Sequence, residues 1–307
     1  MPNWLWRDCR RMAQNDLCRN NGESSMMIEA SCLCGGVEWS VEEPLGTMSH
    51  CHCARCRKAH GSAFATYVGA RTGGFALRAG VAIGRYASSA GGERCFCTRC
   101  AAVVPGEPAG KWIFVPAGNF HADPGVRPGR HIFVASKAPW HTIDDGLPCF
   151  DAWPPGTGGA VLEDFGVREP PGPHPRGSCL CGAVGYRLAG APRRAVNCHC
   201  SRCRRARSAA FASNLFAPVA YTCGQEKLAS YTLPGAPRFS YAFCTVCGSA
   251  LPRADQGDGL VGVPMGTLDD DPGLRPQAHI FVASKAPWYT IHDALPQFGE
   301  FPPPGAF

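Results

Sequence analysis

The sequence predicts a mainly β protein built from two tandem copies of one metal-binding domain, on three observations. Seven cysteines stand in fixed order in the first half, CLC at 32 to 34, CHCARC at 51 to 56 and CTRC at 97 to 100. The second half repeats them as CLC at 179 to 181, CHCSRC at 198 to 203 and CTVC at 244 to 247, at one offset of 147 residues. Ten residues from His131 to Trp140 are then identical to those from His279 to Trp288, an offset of 148 that places one inserted residue between Cys247 and His279. Finally, 37 Gly and 28 Pro, with 45% hydrophobic and 18% charged residues, suit a turn-rich β protein better than a helical one.

The elements follow in chain order. Residues 1–29 have no counterpart in the second half and read as a disordered leader, or as the product of an upstream start codon chosen in error, since Met26 and Met27 immediately precede the repeat. Asp8, Asp16 and Glu23 argue against an Arg-rich transit peptide. The first domain spans 30–150. PPG, GTGG and EPPGPHP make 151–177 a Pro/Gly-rich linker, and the second domain spans 178–301. Within each copy, GGVEWSV at 35 to 41 and GAVGYRL at 182 to 188 alternate as strands following a CxC turn. FATYV, KWIFV and HIFVA read as further strands. Helix is expected only after each CHCxxC, where CRKAHGSAF and CRRARSAAF have room for one or two turns.

Composition narrows the class. No apolar run approaches the roughly 20 residues that cross a bilayer, and no secretory signal opens the chain, so a soluble, cytoplasmic protein is expected. Nineteen cysteines in CxC and CxxC pairs fit thiolate metal ligation in a reducing compartment better than disulfides. The formal charge is +6 with every thiol neutral. Fourteen thiolates against the eight positive charges of four zinc ions bring it to about zero, so the basic balance is poor evidence for a nucleic-acid partner.

Zinc in structural sites takes four ligands at the corners of a tetrahedron, and a CxC with a distant CxxC delivers four thiolates from two loop knuckles. Cys32, Cys34, Cys97 and Cys100 make one such set; Cys179, Cys181, Cys244 and Cys247 make the other. Three further cysteines remain per copy, Cys51, Cys53 and Cys56, then Cys198, Cys200 and Cys203. Three protein ligands with an open fourth position mark a catalytic zinc. Three thiolates dampen its Lewis acidity, so an incoming thiolate suits the site better than an activated water.

His52 and His199 lie between two ligands, and in an extended segment their rings point away from the metal. His131 and His279 are candidates to reach the open zinc as ligand, acid or base, with a structural role equally open. Arg55, Arg57 and Lys58 follow the first triad, and Arg202, Arg204, Arg205 and Arg207 the second. Their positive field suits an anionic substrate, or else balances the thiolate cluster. Cys9, Cys18, Cys95, Cys149 and Cys223 have no counterpart in the other copy and read as ordinary thiols, Cys95 being the nearest to a ligand.

SCLCGGVEW, CHCARCRKAHGSAFA, FCTRC and HIFVASKAPW together resemble the glutathione-dependent formaldehyde-activating enzyme family, which includes centromere protein V. The second copy resembles it as strongly. The resemblance implies a tent-like fold of small antiparallel sheets, two zinc ions per domain, and glutathione as co-substrate. It gives the four-cysteine sets the structural role and the triads the catalytic one. The namesake reaction joins glutathione to formaldehyde as S-(hydroxymethyl)glutathione, formally a carbon-sulfur lyase in reverse. The copies depart from the family pattern in different places: CAAVV and AGNFH stand in the first where the second has CGSAL and GTLDD, whereas Ser208 replaces the glycine that the first keeps as Gly61. These complementary losses favour one composite or dominant site, placed in the first copy.

Two readings follow. The first is an enzyme joining a small-molecule thiol to a small electrophile. The second is a non-enzymatic tandem zinc module presenting basic faces to nucleic acid or an acidic protein. Tandem duplication also suggests a pseudo-dimeric monomer, with a homo-oligomer the alternative.

Overall fold

The computed structural model describes residues 26–157, 174–253 and 259–306. Most of the expected leader and the middle of the expected linker lie outside them. The first copy contains β1 (Met27–Ser31), β2 (Val37–Glu42), β3 (Met48–Cys51), α1 (Ala54–His60), β4 (Ala65–Arg71), β5 (Phe75–Ala79), β6 (Ile83–Ser89), β7 (Gly92–Cys97), β8 (Val103–Val104), β9 (Trp112–Pro116), β10 (Pro128–Ile132) and β11 (Cys149–Phe150). The second repeats the plan with β12 (Arg176–Ser178), β13 (Gly185–Leu188), β14 (Arg194–Cys198), α2 (Ser201–Arg207), β15 (Ala212–Ala217), β16 (Val219–Cys223), β17 (Leu228–Thr232), β18 (Ser240–Cys244), β19 (Ala250–Leu251), β20 (Val261–Pro264) and β21 (His279–Ile280).

Each copy makes three small sheets, in the first β1-β2-β5, β6-β7-β8 and a larger one ordered β11-β10-β3-β4-β9. Among the described strands pairing is antiparallel except that β10 lies parallel to both β11 and β3, and β21 parallel to β14, so that in each copy a parallel strand flanks the one that leads into the triad. The expected strand at HIFVA is shorter than its apolar run: β10 stops at Ile132, and Phe133 turns into the left-handed region (φ 57°) before a 3-10 turn at Val134–Ser136. Phe281 repeats the turn at φ 56°. Downstream, Trp140 and Trp288 plug the core at 3% and 1% exposure. Packing is therefore one role of the identical ten-residue segment.

The helices form where expected, seven residues each. They do not present a solvated basic face, because they meet the other copy. Lys58 pairs with Asp269 at 2.6 Å and donates to the Ser178 carbonyl at 2.9 Å. Arg205 donates to the Cys32 carbonyl at 2.7 Å, and Arg204 to that of Gly118 at 3.3 Å. Ser62 donates to the Phe211 carbonyl and Ser208 to that of Val103, at 2.6 and 2.9 Å. Phe64 and Phe211 meet edge-on, 5.4 Å apart, and one apolar core runs through both copies. A Cβ at Gly266 would lie 2.4 Å from the Arg57 carbonyl, and one at Gly118 2.2 Å from the Ala209 nitrogen. Each helix end thus seats on a glycine turn of the other copy, a pseudo-twofold contact that requires the missing side chain.

Candidate active site and metal centres

Four sulfur clusters form, with the membership read from spacing. Cys32 and Cys34 sit on the turn between β1 and β2, and Cys97 and Cys100 on the turn between β7 and β8. Neighbouring sulfurs are 3.5 Å apart for Cys32 and Cys34 and 3.6 Å for Cys34 and Cys97. The second set gives 3.4 Å for Cys179 and Cys181 and 3.7 Å for Cys181 and Cys244. Ligands about 2.3 Å from a tetrahedral zinc stand about 3.8 Å from one another, so the donor chemistry and the spacing fit that ion. The chain after the second knuckle must turn left-handed: Gly248 does so at φ 72°, and Ala101 does the same at φ 53°. That accounts physically for CGS in one copy and marks CAA as the strained variant.

In the triads, β3 delivers Cys51, whose sulfur lies 3.6 Å from that of Cys53. Cys53 caps α1, its sulfur accepting from the Cys56 N–H at 3.3 Å. Cys200 caps α2 in the same way. In the first triad Cys56 is held well below the ordinary thiol value, by hydrogen bonds from Cys51 and Cys53 first and then by Arg94. Arg94 Nη2 donates to Cys56 Sγ at 3.3 Å. In the second triad Cys200 is the low one, at about 3, through hydrogen bonds from Cys198 and Cys203.

The histidines between the ligands are buried, and neither pair faces a triad. His131 stands opposite His50 in the β3–β10 register, which brings its Nδ1 to 2.8 Å from His52 Nε2. Its Nε2 lies 2.9 Å from an Asp145 carboxylate oxygen. A carboxylate accepts, so the network assigns the His131 proton to Nε2 and the His52 proton to the shared bond. His199, His279 and Asp293 repeat the chain at 2.7 and 3.0 Å. Burial, ahead of the neighbouring cations, holds His199 down to about 3. These chains fasten the triad loop to the strand behind it.

Surroundings separate the copies. A cleft of about 710 Å³ opens over Cys51, Cys53 and Cys56, with Arg55, Arg94 and Arg130 among its walls. Of the seven basic residues read from sequence as suited to an anionic substrate, Arg55 alone lines it. Lys58, Arg204 and Arg205 are committed to the interface, the Arg57 carbonyl lies against Gly266, Arg207 is buried with its guanidinium over the Tyr241 ring, and Arg202 is exposed beside the second triad. Cys95 lines the cleft outside the sulfur cluster, its thiol pushed up to about 11 by burial first. In the second copy, the positions of Arg94, Tyr67, His60 and Arg130 carry Tyr241, Asn214, Arg207 and Ala278. There Cys200 and Cys203 are half-buried where Cys53 and Cys56 are buried, and Arg194 stacks over Phe216 at 4.6 Å where the first copy has Thr47 and Gly69.

Sequence reasoning missed Arg94, Tyr67, His60 and Arg130. They are joined to the triad through space: Tyr67 lies 2.9 Å from His60 Nε2 and accepts from Arg94 Nη1 at 3.4 Å, while His60 Nδ1 is 2.7 Å from the Arg207 carbonyl. The signal that could have found them is their replacement in the other half of an otherwise parallel repeat.

The model of the glutathione-dependent formaldehyde-activating enzyme family matches residues 27–136 and 174–284. The chain belongs to that family. A Halomonas elongata protein that bears the family's name is 27% identical over 148 residues, covering 42% of this chain and 90% of its own. A crystal structure of a Rhodobacter sphaeroides protein matches at 28% identity, over 33% of this chain and 97% of its own, with a TM-score of 0.26. The family is named for a glutathione-dependent activation of formaldehyde, and both of its segments here carry the full set of seven cysteines.

Proposed function

We propose that the chain is a zinc-dependent, thiol-using enzyme of the carbon-sulfur lyase type, S-(hydroxymethyl)glutathione synthase-like, whose working site is the first triad. The observation that carries this reading is the contact of Arg94 with Cys56 at the floor of an open cleft, where the second copy has Tyr241 in place of the arginine. The four-cysteine clusters would hold structural zinc and the triads exchangeable zinc, up to four ions per chain. When bound at the first triad, zinc supplies positive charge that keeps a thiolate available at neutral pH.

The chain's own residues do the rest. Arg55 and Arg130 would receive the carboxylates of glutathione, two guanidinium groups suited to bidentate recognition. Arg94 balances the negative charge gathered at Cys56, and burial against Tyr67 fixes its position. The thiol sulfur forms the new bond to the carbonyl carbon, and the thiol proton ends on the new hydroxyl oxygen. Phe133, held left-handed beside the three cysteines, keeps water from one side of the cluster. The basic residues after each triad are mostly bound at the interface, which supports the enzyme over a nucleic-acid module. A soluble protein acting in the cytoplasm as a pseudo-dimeric monomer fits this assignment.

The test is glutathione titration by calorimetry on zinc-loaded protein, alongside the rate of glutathione addition to formaldehyde. Saturable binding and catalysis that vanish in Cys53→Ser but survive Cys200→Ser support the reading. Equal loss from both variants would overturn the assignment to one working copy.

A further inference from the structure

We infer that the electrophile taken by the first triad is an aldehyde with an apolar, ring-sized body, larger than formaldehyde. This rests on the thiol-addition reading above and deepens it. The cleft measures about 710 Å³, within the roughly 300 to 1,000 Å³ over which pockets enclose whole ligands. A tripeptide thiol fits the lower part of that range. Formaldehyde, little larger than a water molecule with its share of about 30 Å³, leaves most of the remainder empty.

The walls divide by chemistry. Arg55, Arg94 and Arg130 form the charged side already assigned to the thiol. Opposite in character are Phe114, Phe133 and Trp153, which line the same cleft. Phe133 belongs to the same packed cluster as Cys51, Cys53 and Cys56, and Trp153 meets it edge-on at 5.1 Å, so the apolar surface is continuous with the reacting centre. Phe114 is 62% exposed on the edge strand β9 and Trp153 is 40% exposed. Large aromatic side chains left in solvent around a cleft mark a surface that a ligand covers. The second copy places Gly262 at the Phe114 position, so the sheet itself does not call for an aromatic there.

The reaction remains a balanced addition. The sulfur lone pair forms the carbon-sulfur bond, the carbonyl π pair moves to oxygen, and that oxygen takes the thiol proton to give a hemithioacetal. Nothing is oxidised or reduced.

The experiment compares the acceleration, over the uncatalysed rate, of glutathione addition to formaldehyde, propanal, benzaldehyde and 4-isopropylbenzaldehyde by the zinc-loaded enzyme. Stopped-flow loss of carbonyl absorbance follows the aromatic aldehydes, and exchange NMR follows the others. Acceleration is expected to rise at least tenfold from formaldehyde to the ring-bearing aldehydes. Phe114→Ala and Trp153→Ala should each lower that preference at least fivefold. Acceleration of formaldehyde alone, or a preference that neither variant changes, would overturn the inference while leaving thiol addition standing. Acceleration of no aldehyde would instead bring down the thiol-addition reading, and this inference with it.

Discussion

Arg94 donates from Nη2 to the sulfur of Cys56 at 3.3 Å, and the same guanidinium donates from Nη1 to the Tyr67 hydroxyl at 3.4 Å. Tyr67 in turn donates to His60, whose other ring nitrogen donates to the Arg207 carbonyl of the second copy at 2.7 Å. The hydrogen bonds run in one direction, which burial makes consistent: it is the largest influence holding His60 down to about 4, so the ring is neutral at pH 7. The second copy therefore braces the first copy's site through its backbone. A charge-assisted hydrogen bond is worth about 1.5 to 3 kcal/mol. Arg94→Met is accordingly expected to lower kcat/KM about 10- to 100-fold, with Arg94→Lys recovering part of it. Equal loss in both variants, with an unaltered pH profile, would show that the charge is not what matters.

The two kinds of sulfur cluster should separate on metal removal. Binding at zinc modules is worth about 10 to 16 kcal/mol, and each four-cysteine site ties together turns more than sixty residues apart in sequence. Cys100→Ser is expected to abolish cooperative unfolding of the first copy. Cys53→Ser should leave the melting temperature within a few degrees and remove activity, with elemental analysis falling from four zincs per chain to three. A Cys53→Ser protein that unfolds like Cys100→Ser would make the triad structural.

The interface ion pair offers a third test. Lys58 and Asp269 are 2.6 Å apart with side chains 3% and 11% exposed, and Ser178 bonds to both. Removing one partner of such a pair costs about 3 to 5 kcal/mol because the other charge stays buried. Lys58→Met should therefore destabilise by about that amount in urea, whereas Lys58→Met with Asp269→Leu should cost clearly less than the two single changes added. Simple additivity would mean that the two side chains act independently.

Cysteine spacing carried the four clusters because ligands two or three residues apart must share a turn, and the repeat supplied the pairing of distant turns. The short helices after CHCxxC were legible from the same segment. What the basic residues on those helices do was not, since Lys58 and Arg205 find their partners in the other copy, across more than 170 residues for Arg205 and Cys32. The same holds for His131: only the parallel register of β10 beside β3 sets it against His52. The end of β10 was misjudged because HIFVA is apolar throughout, whereas the left-handed turn at Phe133 is imposed by packing against the triad and Trp153.

His141 gives a pH dependence with a definite sign. Burial, then Lys137 and His131, hold its pKa down to about 3, against about 6.5 in an unfolded chain. Between those values the unfolded state binds a proton that the folded state refuses, so stability falls as pH drops below about 6.5 and is unaffected by this group above it. The slope reaches about 1.4 kcal/mol per pH unit. Tyr289 occupies the equivalent position in the second copy, so His141→Tyr removes the titration with a side chain the fold already accepts there. Urea midpoints at pH 6.5 and 5 should show the unaltered protein losing about 1.5 kcal/mol more than the variant. Protonation of the thiolates and of the remaining histidines is common to both proteins and cancels in that difference. Parallel acid slopes would mean that His141 is protonated in the folded state, and that the polar cavity it shares with Asp145 and Asp293 admits charge.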